Sequence, residues 1–380
     1  LAPEWLKQEL HLVSRPTQPA DVQIGLGLFE KDEVPLLGQE ASVRTLFPDR
    51  EWRQAFDGAN LYAEATMHMG AGEVYGVAGS LSPGFLLGLN DYQHFNGRFY
   101  LREWYLKAGY QRPELTWGRM AKRFGDIRHG GVVLTSSAKP IDLLMLEVRP
   151  HQMGTPLSFL GPTGLKLWVA FDDDSLPLPS SRYLGIEVSV RPFTFLELAF
   201  LEMFQYDDLS QISSRRDQRL GFYLGVWGPD KFVKLYSQVF FQDLKDLNTA
   251  TGLWFPKLGD WEARLEYHRT VPNAYSGSIW RQGWSFEGSP LGSPLGSDGE
   301  AFYFDVGLPS MDGWRPELGF SYELRNRGEN FGYTSDTRTG VSAGVSHGWV
   351  YVEAGLTSRY LWNADLQRFG LFANWKYSFF

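Results

Sequence analysis

The chain has 380 residues, a formal net charge of -8, seven histidines and no cysteine. The acidic balance argues against a nucleic-acid binder, which would show a basic face. Without cysteine there is no disulfide scaffold, cysteine-ligated zinc site, cysteine nucleophile or lipidated N-terminal Cys. Aromatic residues make up 16% of the chain and glycine fills 41 positions, yet the mean hydropathy is only -0.28. No run of about 20 apolar residues is present, so a helical membrane protein is excluded.

The start at Leu1 reads as that of a mature protein whose leader has been removed. Between Pro3 and Val13 the spacing of Trp5, Leu6, Glu9, Leu10 and Val13 predicts a short amphipathic helix. A second helix is predicted over Asp49 to Phe56, where Pro48-Asp49 is a start signal and Trp52, Ala55 and Phe56 share a side. Val22 to Phe29 reads as either a first strand or a loop. Residues 1–57 are therefore expected to form a helical periplasmic cap, and residues 58–380 the main body.

From Asn60 onward, apolar residues fall on every second position. Leu61, Ala63, Ala65, Met67 and Met69 alternate with Tyr62, Glu64, Thr66 and His68. Leu165 to Asp172 is a further strand candidate. Between Arg182 and Arg191, Leu184, Ile186, Val188 and Val190 oppose Tyr183, Glu187 and Ser189. Between Gln218 and Trp227, Leu220, Phe222, Leu224 and Val226 oppose Gly221, Tyr223 and Gly225. Phe232 to Phe241 is the next candidate. From Asp260 to His268, Trp261, Ala263, Leu265 and Tyr267 share one face, and Glu262, Arg264, Glu266 and His268 the other. After Glu300, Phe302, Phe304, Val306 and Leu308 alternate with Tyr303, Asp305 and Gly307. Within Trp314 to Leu324, Leu318, Phe320 and Tyr322 oppose Arg315, Glu317, Ser321 and Glu323. Such two-residue periodicity is that of strands.

Strands of soluble sandwiches average about 5–6 residues, whereas a tilted strand needs about 9–11 to cross a bilayer. The pattern therefore predicts an all-β fold, a transmembrane antiparallel β-barrel of roughly 16–18 strands in the bacterial outer membrane. Tight turns are predicted at Gly228-Pro229-Asp230, Leu258-Gly259-Asp260, Ser346-His347-Gly348 and Asn363-Ala364-Asp365. Long connections are expected at Ala121 to Lys139, Asp172 to Ser181, Asp207 to Asp217, Val271 to Gly299 and Asn326 to Arg338. Short turns at one rim and long loops at the other are how such barrels are built. The last strand, alternating through Leu371, Ala373, Trp375, Tyr377 and Phe379, ends in Phe380 and fits the signal read by barrel-insertion machinery. Outer-membrane lipid and lipopolysaccharide are thus expected partners.

The inward set carries both signs, in Glu262, Arg264, Glu266, His268, Arg315 and Glu317 among others. An open selective pore often concentrates one sign. Mixed charge predicts a paired network across a lumen plugged by loops, since isolated buried charge is expensive.

Two loops offer binding chemistry. Between Val271 and Gly299, Tyr275, Trp280, Arg281, Trp284 and Phe286 sit among Ser and Gly. Sugar rings stack their CH faces on Trp and Tyr, and Arg adds charge-assisted bonds to acidic polymers. The competing reading is that these aromatics pack the loop or form an interfacial girdle. The second segment, with Arg119, Lys122, Arg123, Arg128 and His129, is either an anion site or a solvated or plug-facing loop. Asp172, Asp173 and Asp174 are hard oxygen ligands, but no calcium loop surrounds them, and a surface turn is expected. His268 with Glu266, or His129 with Asp126, would be the acid/base pairs of a surface hydrolase. No catalytic constellation, metal site or cofactor is predicted.

Three segments resemble the Wzi family of capsule assembly outer-membrane proteins: Gly130 to Pro140, Leu265 to Thr270, and Ser293 to Glu300. The likeness is read from about Glu114 to the C-terminus. It implies an 18-stranded barrel with periplasmic N-terminal helices, a lumen closed by loops, and a non-catalytic, lectin-like role in holding capsular or exopolysaccharide at the cell surface. Lys139 stands where the family usually has Arg, and Ser293 where His is common. The readings that compete with this role are a passive channel for small solutes and the surface hydrolase.

Overall fold

The computed structural model describes residues 21–29, 58–71, 75–89, 95–110, 113–134, 140–152, 157–171, 182–206, 218–242, 246–272, 274–275, 285–286, 289–290, 292–325, 336–347, 350–361 and 364–378, with most side chains placed between residues 77 and 347. The strands are β1 (Asp21–Phe29), β2 (Gly58–Ala71), β3 (Tyr75–Leu89), β4 (Phe95–Tyr110), β5 (Pro113–Met120) and β6 (Ile141–Gln152). They continue as β7 (Pro162–Phe171), β8 (Arg182–Phe193), β9 (Leu196–Tyr206), β10 (Gln218–Trp227), β11 (Lys234–Gln242) and β12 (Asp246–Leu258). The last are β13 (Trp261–Arg269), β14 (Glu300–Gly307), β15 (Trp314–Arg325), β16 (Asp336–His347), β17 (Val350–Leu361) and β18 (Ala364–Ser378). Together they form one 18-stranded sheet in which each strand pairs with its sequence neighbours. Antiparallel pairing of β1 with both β2 and β18 closes it, so no edge is left unpaired. Among the described residues no helix is long and apolar enough to cross a membrane.

Alternation decides which side chains face out. On β10, Phe222 and Leu224 are exposed while Tyr223 is buried; on β14, Phe302 and Phe304 are exposed around buried Tyr303. Leu265 of β13 is exposed, whereas Glu266 and His268 are 0% exposed. The same holds for Leu318 and Phe320 against Glu323 on β15. Outward aromatics pack across strands: Phe200 and Phe222 stand opposite each other with centroids 5.2 Å apart, and Tyr267 and Phe302 likewise at 4.8 Å. A broad apolar exterior and a polar interior are what a lipid-embedded barrel needs.

The turns between β4 and β5, β8 and β9, and β12 and β13 are short, and both ends of the sheet-forming chain, Asp21 and Ser378, lie at that rim. Gly259 makes the last of these turns with φ +68. The connections after β5, β7, β9, β13 and β15 are long and share the opposite rim. Of the two readings of Val22 to Phe29, the strand is the one found: β1 belongs to the barrel, and its end Phe29 faces Gly58 of β2 at the long-loop rim. The helices expected at 3–13 and 49–56 lie outside the described residues, as do Asp172, Asp173 and Asp174.

Candidate functional site

The centre of the barrel is filled by its own loops. After the eight-residue β5, residues 121–134 turn inward and bury Phe124, Ile127, Val132, Val133 and Leu134 against wall residues such as Tyr223, Tyr236 and Phe240. A stretch containing Gly130 and Gly131 suits this path, because a Cβ at Gly131 would lie 2.6 Å from Gln238 Oε1. Gln238 accepts the Val132 N–H at 3.0 Å and donates to the Phe124 carbonyl, so one wall amide serves both directions of the loop backbone.

Glu266 is the principal wall anchor. Its carboxylate accepts the backbone N–H of Arg128 at 2.8 Å and of His129 at 3.0 Å. Tyr236 Oη donates to it at 2.6 Å, and His268 Nε2 lies 3.2 Å away. Charge-assisted bonds in a dry interior are the strong kind, and four partners offset the desolvation of this buried carboxylate. His129 stacks on Tyr303 at 4.3 Å and places Nε2 2.6 Å from Asp305.

The loop after β13 meets the first loop inside the barrel. Tyr275 Oη donates to the Val132 carbonyl at 2.8 Å and accepts the Ser293 N–H at 3.0 Å. The Tyr275 N–H reaches Gln242 at 2.9 Å, and Arg325 donates to the Pro294 carbonyl at 3.1 Å. Burial pushes the Tyr275 phenol above its ordinary range, so it stays a donor at physiological pH. Toward the short-turn rim, Asp126 of the first loop accepts from Tyr223 at 2.8 Å and from Lys234. Burial works against its charge, but Lys234, Tyr223 and Arg123 prevail and hold the carboxyl below the usual carboxylate range.

These contacts place the expected residues. Tyr275 and His129 are buried inside the plug, not presented to solvent. Arg128 lies 3.6 Å from Glu317 and 4.0 Å from Asp305, on the short-turn side. Arg123 is exposed and bonds the Ile127 carbonyl at 2.7 Å. Trp280, Arg281 and Trp284 lie outside the described residues. Of the inward set, Arg315 pairs with Glu262, and Arg264 lies 3.9 Å from Glu266. Of the two imagined acid/base pairs, His268 meets Glu266, but His129 meets Asp305 while Asp126 holds Lys234. Tyr236, Gln238 and Gln242 are not singled out by the sequence analysis. Phe232 to Phe241 is read there as a strand without a phase, and the period of two carried along it turns these three inward.

Residues 44–207 match the family model described as Capsule assembly protein Wzi. That span includes the first of the three resembling segments, starts earlier than Glu114 and ends before the later two. The fold is similar to a solved structure described as Wzi, an outer membrane protein involved in group 1 capsule assembly in Escherichia coli and a carbohydrate-binding β-barrel. The TM-score is 0.74 at 17% identity, covering 98% of this chain and 86% of that one. Acinetobacter baumannii OccAB4 is similar at TM-score 0.59 and 10% identity, covering 96% of this chain and 99% of that one. Pseudomonas aeruginosa OccK5 is similar at TM-score 0.59 and 9% identity, covering 96% and 98%. A comparison with curated protein sequences finds no match.

Proposed function

We propose that this chain, whose residues 44–207 carry the Wzi capsule-assembly match, is an integral outer-membrane barrel that binds capsular or exopolysaccharide and attaches it to the cell surface. The short-turn rim would face the periplasm and the long loops the exterior, as outer-membrane barrels are oriented. The apolar wall would contact membrane lipid and lipopolysaccharide, and the C-terminal strand β18 would engage the insertion machinery.

The observation that carries this reading is the latch between Glu266 and the backbone of Arg128 and His129. A loop bonded to the wall at mid-lumen suits a holder of polymer better than a conduit. A carbohydrate-binding role in the E. coli Wzi structure, of like fold, agrees with it. On the outside, Trp280, Arg281 and Trp284 would stack on and bond the polymer. Purified protein immobilised on a column is expected to retain exopolysaccharide, and Trp280→Ala with Trp284→Ala to weaken retention. Unchanged retention would remove the pair from the site.

A passive channel for small solutes is the second reading. It draws on the water-exposed charge pairs at the short-turn mouth, such as Arg315 with Glu262. Planar-bilayer recording separates the two: a stable, large open current from the intact protein would reject the plugged holder.

A further inference from the structure

The lumen is not closed evenly. At mid-barrel, Gln238 and Glu266 are 0% exposed, and toward the long-loop rim Asn248 and His268 are 0% exposed and Gln242, Glu323 and Arg325 are buried. Toward the short-turn rim, inward side chains are wet: Arg315 is 48% exposed, Arg128 36% and Glu317 30%. The plug therefore leaves a vestibule open on the side that bears Asp21 and Ser378.

Beside that vestibule runs a cross-strand row in which Lys234 is buried. Trp227 of β10 stands opposite Lys234 of β11, which stands opposite Trp254 of β12, which stands opposite Arg264 of β13. Lys234 Nζ sits 4.9 Å from the Trp227 ring centroid, and the Arg264 guanidinium 4.8 Å from that of Trp254. The two indoles are 5.6 Å apart and tilted by 55°. Each indole N–H is fixed by a carboxylate, Trp227 to Glu197 at 3.3 Å and Trp254 to Glu262 at 2.9 Å. Trp168, packed in the core, is 1% exposed. Trp227 and Trp254 are only partly buried.

Two held indole rings beside hydrogen-bonding carboxylates form a surface for sugar: CH faces stack on the rings, and hydroxyls donate to the free lone pairs of Glu197 and Glu262. The charges here are matched. Lys234 is held by Asp126 and Glu197, Arg315 by Glu262, and Arg128 by Glu317. Among the described residues of this wall, each cation faces a carboxylate, Arg264 included at 3.9 Å from Glu266, which leaves little to reward an acidic sugar. We infer that the short-turn vestibule is a second saccharide site, separate from the outer loops, which takes an uncharged pyranose chain across Trp227 and Trp254. This rests on the polysaccharide reading above and adds to it a site, a side of entry and a charge class.

The full chain in detergent, labelled with 5-fluorotryptophan, tests the inference by fluorine NMR, with resonances assigned through Trp227→Phe and Trp254→Phe. Maltohexaose is expected to shift both signals saturably, with about tenfold weaker binding in Trp254→Ala. Trp254→Phe, which keeps a ring, is expected to bind within about threefold of the parent and serves as the folding control. Hexagalacturonate is expected to bind more weakly. No shift at the two tryptophans, equal binding by Trp254→Ala, or tighter binding of the acidic oligomer overturns the inference. If column retention of exopolysaccharide persists while the two signals stay still, the vestibule site alone fails. If retention is absent as well, the polysaccharide reading fails with it.

Discussion

The Glu266 side chain, on the barrel wall, accepts the backbone N–H of His129, in the plug, at 3.0 Å. Because the same carboxylate also takes the Arg128 N–H, this latch grips the loop by its main chain, while Asp126 and His129 add side-chain contacts to the wall. Glu266→Gln keeps the volume but turns one acceptor oxygen into an NH2 group facing a donor. Each lost charge-assisted bond weakens the latch by about 1.5–3 kcal/mol. Transient current steps absent from the parent protein are expected in planar bilayers, and a variant as silent as the parent would show that the latch does not hold the plug.

Tyr236 reaches Glu266 only because Gly252 stands opposite it on the next strand. A Cβ at Gly252 would fall 2.4 Å from the Tyr236 ring, far inside contact distance. Gly252→Ala must therefore push the phenol off the carboxylate. Overpacking of this kind costs about 1–3 kcal/mol. A lowered midpoint of denaturant unfolding in vesicles is expected, and addition of Tyr236→Phe to Gly252→Ala should cost less than Tyr236→Phe does alone.

Asp126 gives the plug a pH dependence with a defined sign. Its folded carboxyl titrates below the ordinary carboxylate range because Lys234, Tyr223 and Arg123 outweigh burial. The stabilisation it adds is complete above the unfolded value, about 3.9, and is lost as pH falls through the lowered folded value. The protection that Asp126 gives against protease cleavage within residues 121–134, read as the difference from Asp126→Asn, should thus stay constant from pH 7 to about 4 and fall below it. Asp126→Asn should be cleaved faster across that range, and the two rates should converge below it. A difference undiminished in acid would assign it to another group.

Strand existence and phase were legible because burial in a barrel has a period of two, the only pattern the sequence needs in order to sort Leu265 outward and Glu266 inward. Mixed charge on the inward phase pointed to a filled lumen, and Arg315 with Glu262 is one of its pairs. Partner choice was not legible. His129 and Asp126 are three residues apart in the chain, yet each bonds a different wall strand, through Asp305 and Lys234, more than 100 positions away. The two readings of Tyr275 were inseparable for a related reason: a Tyr in a Ser- and Gly-rich loop looks the same whether the loop extends into solvent or folds into the barrel, where it is found.

The lipid-facing wall makes a prediction independent of the plug. Phe222 lies near the middle of β10, is exposed, and packs outward between Phe200 at 5.2 Å and Phe241 at 6.1 Å. Its neighbour Tyr223 points inward to Asp126. If the exterior meets acyl chains, Phe222→Arg places a charge in hydrocarbon and should destabilise the barrel by about 2–4 kcal/mol, read from unfolding in lipid vesicles. An arginine introduced at exposed Lys231, in the turn after β10, should change stability by less than about 0.5 kcal/mol. A barrel indifferent to Phe222→Arg would mean that this face of β10 does not meet lipid at membrane depth, and would remove the ground for placing the chain in a bilayer.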